Sequence, residues 1–284
     1  MTRNTAWITG ANGLIGSHFL RLAPIHAPNW NVRGLTRHDF DLTDFKSLRE
    51  AFAKQHPQLI IHCAAQSRPV ACQADPVLAR KLNIEVTAQL AELAAGIPFV
   101  LFSSDMVFDG RQGNYDETAS PNPLSIYGET KIAAEQIVLA NPRHTVIRTS
   151  LNGGISPTGD RGFNEEMRRA WQDRRTLKLF TDEFRSPISA AVTARAVWEL
   201  VARNQPGLFH VAGSERLSRW QTGRLIAVRW PQLNPRLEPA SMKDYQGPPR
   251  PADASLNCAK AQKLLSFSLP GLTEWLATHL HEPF

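Results

Sequence analysis

Cysteine is scarce in this chain, with Cys63, Cys72 and Cys258 the only three among 284 residues. They form no CxxC pair and no zinc pattern with histidine. A disulfide framework is excluded, no metal site is expected, and reduced thiols in or near the core remain. Long apolar runs are missing as well. None approaches the roughly 20 residues that a bilayer span needs, so no membrane partner is expected. No leader segment is expected, because a β-like run, Ala6-Trp7-Ile8-Thr9, begins almost at once. The expected location is cytoplasmic. There is no internal repeat and no low-complexity tract.

What the chain does have is 42% hydrophobic residues, enough to bury a substantial core. Its formal charge is +6. The basic residues are scattered, with short clusters at Arg168-Arg169 and Arg174-Arg175, and no zinc-finger or RNA-binding signature accompanies them. No nucleic-acid partner is expected; an anionic small molecule fits the charge better.

Short apolar runs alternate with amphipathic stretches through the first 150 residues. Strands are predicted at Ala6–Thr9, Val32–Leu35, Leu59–Cys63, Phe99–Ser103 and Thr145–Arg148. Helices are predicted at Leu14–Leu22, Thr43–Gln55, Pro76–Ala95 and Ser125–Ala140. This alternation implies βαβ units, and apolar strands imply burial on both faces of a parallel sheet. The expected fold class is α/β, a Rossmann-type doubly wound parallel sheet with a smaller C-terminal lobe. After Thr149 the texture becomes loop-rich. Helices at Phe163–Asp173 and Ala190–Arg203 and a strand at Leu208–Val211 are predicted. Pro231–Pro251 reads as irregular, and short terminal helices follow. Residues 1–150 form the expected nucleotide-binding domain, with 188–212 returning to it. Residues 151–187 and 213–284 form the expected substrate lobe.

The first strand runs into Thr9-Gly10-Ala11-Asn12-Gly13-Leu14-Ile15-Gly16. Gly10 permits a tight exit from the strand, Gly13 lets the backbone approach a pyrophosphate, and Gly16 lets the helix pack closely on the sheet. The helix start offers free N–H groups to phosphates. Gly10, Asn12, Gly13, Leu14, Ile15 and Gly16 are thus candidate cofactor-binding residues. No acidic residue closes the second strand; Arg37 stands there and favours the 2′-phosphate of NADP. NADPH is therefore expected in preference to NADH.

Tyr127-Gly128-Glu129-Thr130-Lys131 sets a phenol and an ammonium on one helix face, four residues apart. Lys131 is expected to lower the Tyr127 pKa and make it a competent proton shuttle. Ser104 closes the fourth strand, where ligands of open α/β sheets bind, and its hydroxyl can polarise a substrate carbonyl. Thr181–Ile188 contains Arg185, which either pairs with a nucleotide phosphate or anchors its own loop.

These motifs resemble those of the extended short-chain dehydrogenase/reductases. The resemblance adds Asp41 as an adenine contact, with Leu42 beside it, and the small-residue segment Cys63-Ala64-Ala65 as cofactor-facing. It gives Asn83 a structural role. Ser103-Ser104-Asp105-Met106-Val107-Phe108-Asp109-Gly110, Ile147-Arg148-Thr149-Ser150 and Gly207–Gly213 are similar to segments of the dTDP-4-dehydrorhamnose reductases. That likeness implies NADPH-dependent reduction of a nucleotide-linked 4-keto-6-deoxy sugar, with Tyr127 as general acid, Ser104 polarising the ketone and Lys131 supporting Tyr127. It implies Ser104, Asp105, Met106, Asn152 and Arg185 as substrate-binding residues, and it leaves a homodimer open. Met106 replaces the family's Tyr, Leu151 its usual Trp, and Phe163-Asn164 inverts its usual order. A 4,6-dehydratase is disfavoured, because methionine cannot move a proton. Two alternatives stand beside the reductase. One is a non-catalytic NAD(P)-binding regulatory subunit, like that of methionine adenosyltransferase; the other is a sugar-nucleotide epimerase.

Overall fold

The computed structural model describes residues 3–280, 282 and 284. Strand β1 (Asn4–Thr9) leads to helix α1 (Leu14–His26), then β2 (Trp30–Leu35), α2 (Phe45–Gln55) and β3 (Leu59–His62). Two short helices, α3 (Pro69–Ala74) and α4 (Pro76–Arg80), precede a π turn over Lys81–Glu85, α5 (Val86–Leu93) and β4 (Phe99–Ser104). Helix α6 (Ile126–Leu139) and β5 (Thr145–Thr149) follow. The later chain holds β6 (Asn152–Gly153), α7 (Phe163–Gln172), β7 (Leu177–Phe180), β8 (Phe184–Arg185), β9 (Ile188–Ser189), α8 (Ala190–Ala202) and β10 (Gly207–Val211). It ends with β11 (Leu217–Ser218), α9 (Arg219–Ala227), β12 (Leu237–Ala240), α10 (Ala259–Gln262) and α11 (Leu272–Thr278).

Six strands form one parallel sheet in the order β10-β5-β4-β3-β1-β2. The central strands β3, β4 and β5 are buried at every position, as strands covered on both faces must be. Phe19 of α1 and Trp198 of α8 pack one face; Leu48 of α2, Leu90 of α5 and Ala134 of α6 pack the other. The chain goes from β1 outward to β2, then returns to β3 on the other side. That reversal opens a crevice at the C-terminal ends of β1 and β3. A separate cluster of Met167, Trp171, Ile226, Leu272 and Trp275 packs α7, α9 and α11 together.

Several elements differ from the sequence-based expectation. Helix α1 runs past Leu22 to His26 and includes Pro24. The Pro76–Ala95 helix is interrupted by the π turn, which carries Asn83 inward. Helix α9 was not foreseen. Nor was β12, which pairs in parallel with β7 inside the proline-rich stretch expected to be irregular.

Candidate active site

The glycine loop lies at the crevice. Gly10 adopts φ +67°, and a Cβ there would lie 2.7 Å from the Ala64 amide nitrogen. The β1 and β3 exits therefore touch backbone to backbone, which only glycine allows. At Gly16 a side chain would collide with the Gly10 carbonyl oxygen. Gly13 caps α1 with no side-chain bond, leaving the helix's first N–H groups free of any side-chain cap. Thr9 Oγ1 is 2.7 Å from His62 Nδ1 and accepts from Ala64 N, fixing the small-residue segment.

Asn12, Arg37, Asp41 and Ala65 are exposed; Ile15, Leu42, Cys63 and Ala64 are half-buried, and Leu14 is buried. Asp41 accepts from Thr43 N, which with the Arg37 and Lys81 charges outweighs burial and holds its carboxyl below the ordinary range. Asp44 is the N-cap of α2. Burial pushes the Cys63 thiol well up, against the charge of Lys131, so it stays protonated.

Helix α6 is capped by Ser125 and carries Tyr127, Lys131 and Glu135 at four-residue spacing, all buried. Asn83 ties this helix to the β3 exit. Its amide accepts from Gln66 N and donates to Gln66 O and to Thr130 Oγ1. Glu135 forms a buried pair with Arg148 of β5 at 2.7 Å and accepts from Ser103. Burial lowers the Lys131 pKa to about 8, with Glu135 opposing.

The expectation of a lowered Tyr127 pKa is overturned. Burial pushes the phenol above its ordinary value, the facing Ser104 hydroxyl draws it down, and Asp105 raises it again. Desolvation is the largest of these effects. Tyr127 thus holds its proton at neutral pH.

Ser104 accepts from Met106 N and contacts Asp105 Oδ1 at 3.1 Å. Asp105 is in turn bonded by Ser150 Oγ at 2.6 Å and paired with Arg185 Nε at 3.5 Å. Met106 packs beside Tyr127, Cys72 and Ala79. Of the two readings of Arg185, the structure takes the anchor. Its side chain is 2% exposed, pairs with Glu183 at 3.0 Å and donates from Nη1 to the Phe184 and Pro251 carbonyls within its own loop region. Asn152 is similarly turned inward. Its amide bonds Thr149, Ser150 O and Thr193 within the protein, not a ligand cleft.

A cavity of about 390 Å³ opens between α7, β7 and α9, apart from Tyr127. Phe163, Met167, Leu177 and Leu179 supply apolar wall; Arg68, Arg169, Arg175 and Arg219 supply charge, against Glu166 alone. Arg219 Nη1 is buried without a hydrogen-bond partner. Sequence reading missed Arg68 and Arg219, since nothing local marks either residue. Among the described residues no cluster suited to a metal ion occurs, and no helix is long and apolar enough to cross a membrane.

The chain is 28% identical over 275 residues to methionine adenosyltransferase 2 subunit beta of Xenopus laevis, covering 91% of this chain and 82% of the relative. It is 30% identical over 290 residues to a probable low-salt glycan biosynthesis reductase, Agl14, of Haloferax volcanii, covering 96% of each. A dTDP-4-dehydrorhamnose reductase of Bacillus anthracis, solved in complex with NADP, shares the fold with a TM-score of 0.88 and 23% identity, over 98% of this chain and 99% of that one. Residues 4–283 match the family described as the RmlD substrate binding domain. The chain belongs to that family, the dTDP-4-dehydrorhamnose reductase-like branch of the extended short-chain dehydrogenase/reductases.

Proposed function

We propose that the chain is an NADPH-dependent reductase of a nucleotide-linked 4-keto-6-deoxy sugar. The observation that carries this reading is the buried grouping of Ser104, Tyr127 and Lys131 beside an uncapped helix start and a glycine-lined crevice. A reduced nicotinamide, when bound, supplies hydride to the ketone carbon.

The residues divide the remaining work. Gly10, Gly13 and Gly16 let the backbone approach a pyrophosphate, and Arg37 meets the 2′-phosphate. Tyr127 keeps its proton until an alkoxide forms. The alkoxide left by hydride transfer is basic enough to take that proton, which makes Tyr127 the general acid. Lys131 holds the ribose and supports the phenol. The four-arginine cavity suits a diphosphate, and Arg219 offers it an uncommitted donor. Residues 1–150 with 188–212 would hold the cofactor, and 151–187 with 213–284 the sugar nucleotide.

The test is NADPH oxidation with dTDP-4-dehydro-6-deoxy-hexoses. Turnover should occur, and Tyr127→Phe should lower kcat on the order of 10²-fold or more with NADPH affinity kept. The relatives named as methionine adenosyltransferase beta subunits favour a second reading, a binding subunit for a partner enzyme. Tight NADP binding without turnover on any nucleotide keto-sugar would support that reading and overturn the first.

A further inference from the structure

The arginine-lined cavity holds one acid, Glu166, among its four guanidiniums. Arg169, Arg175 and Arg219 come from α7, the turn after it and the start of α9. Arg68 alone comes from the sheet side, a few residues beyond β3. Its Nη2 donates to the Asp160 carbonyl at 3.3 Å and lies 3.6 Å from Glu166 Oε1. The second contact is an ion pair just beyond hydrogen-bond reach. Arg169 bonds the Gly159 carbonyl and Arg175 pairs with Asp173, and neither of those partners lines the cavity. Inside the cavity, then, the single carboxylate is set against Arg68.

Glu166 and Arg68 keep 61% and 60% of their side-chain surface exposed. A pair so exposed is weak, and both groups stay solvated when it opens. The Arg185–Glu183 pair is the opposite case, almost fully buried and costly to break. Arg68 can therefore change partner where Arg185 cannot. A phosphoryl group is the better partner, because it meets a guanidinium through two nitrogens at hydrogen-bond distance.

We propose that Glu166 is a counter-ion that the ligand's diphosphate displaces from Arg68, so that this acid sets how tightly the cavity holds its ligand. This rests on the reading of the cavity as a diphosphate site. Glu166 holds the Arg68 fork at the cavity wall. When a phosphoryl group takes the fork, the carboxylate turns to water and the sheet side gains a direct grip on the ligand. Glu166 acts through Arg68 and is a positioning residue; Arg68 is the ligand contact.

The test is a double-mutant cycle. Inorganic pyrophosphate is titrated calorimetrically into the unaltered chain, Glu166→Gln, Arg68→Gln and the double variant. Each protein is first saturated with NADPH, so that the glycine loop is filled and does not take up the probe. Both side chains are largely exposed, so the variants should fold. Arg68→Gln should weaken binding on the order of tenfold. Glu166→Gln should tighten it roughly threefold to fivefold where Arg68 is present. In the Arg68→Gln chain the same change should have little effect, because the shared cation is gone. An equal gain in both backgrounds would make Glu166 a general repulsive charge and overturn the exchange. So would no gain beside Arg68, or no binding of pyrophosphate to any of the four proteins. Turnover of dTDP-4-dehydro-6-deoxy-hexoses is followed in parallel. Turnover without the coupling would overturn the exchange and leave the reductase reading standing. The coupling without turnover on any nucleotide keto-sugar would support the exchange and overturn the reductase reading instead.

Discussion

Tyr127 and Lys131 sit one turn apart, yet burial moves their protons in opposite senses. It strengthens the phenol's hold and weakens the ammonium's. The same desolvation acts on four buried histidines, His18, His62, His144 and His210, and lowers the pKa of each. His18 and His210 are depressed to about 4, and His62 to about 3, from 6.5. The unfolded chain takes up these protons as pH falls below 6.5, while the folded chain refuses them until about 4. Their stabilising effect is therefore complete above 6.5 and is lost as the pH drops. Each of His18, His62 and His210 contributes a slope of about 1.4 kcal/mol per pH unit, or roughly 4 together, between pH 6 and 4. Urea unfolding across that range should show it. A flat profile would mean that the histidines are not buried neutral.

Helix α6 shows what an element adds to its residues. Tyr127 and Lys131 act on one end, and Glu135 grips β5 through Arg148, both side chains 4% exposed or less. Arg148→Met would leave Glu135 buried and unpaired, at a cost of roughly 3–5 kcal/mol. Adding Glu135→Gln should recover part of that loss, and denaturant melts of the single and double variants measure it. The sequence made α6 legible through spacing alone, and made β3, β4 and β5 legible because fully buried strands read as unbroken apolar runs. It hid β6, β8, β9 and β11, because two residues carry no period. It hid β12 because Leu237-Glu238-Pro239-Ala240 is mostly exposed and contains proline. The Asp105–Arg185 pair was illegible for a different reason. An ion pair between distant segments leaves no local pattern, so the anchor role of Arg185 needed coordinates.

The whole molecule carries two surfaces of different chemistry. One is the crevice at the ends of β1 and β3, where glycine backbone replaces side chains. The other is the arginine-lined cavity between α7, β7 and α9, suited to a charged ligand with an apolar body. Ser104, Asp105 and Tyr127 belong to the sheet side, while Arg185 reaches Asp105 from a later segment and is held in turn by Glu183, which Arg250 pairs. The central claim is that hydride passes from a nicotinamide to a sugar ketone in this site. NADPH carrying deuterium at its transferable position, incubated with the protein and a dTDP-4-keto-6-deoxy-hexose, tests it most directly. Mass spectrometry should find the deuterium bonded to C4 of the sugar with the native chain, and not with Tyr127→Phe. Deuterium remaining wholly on the cofactor while it stays tightly bound would contradict the account.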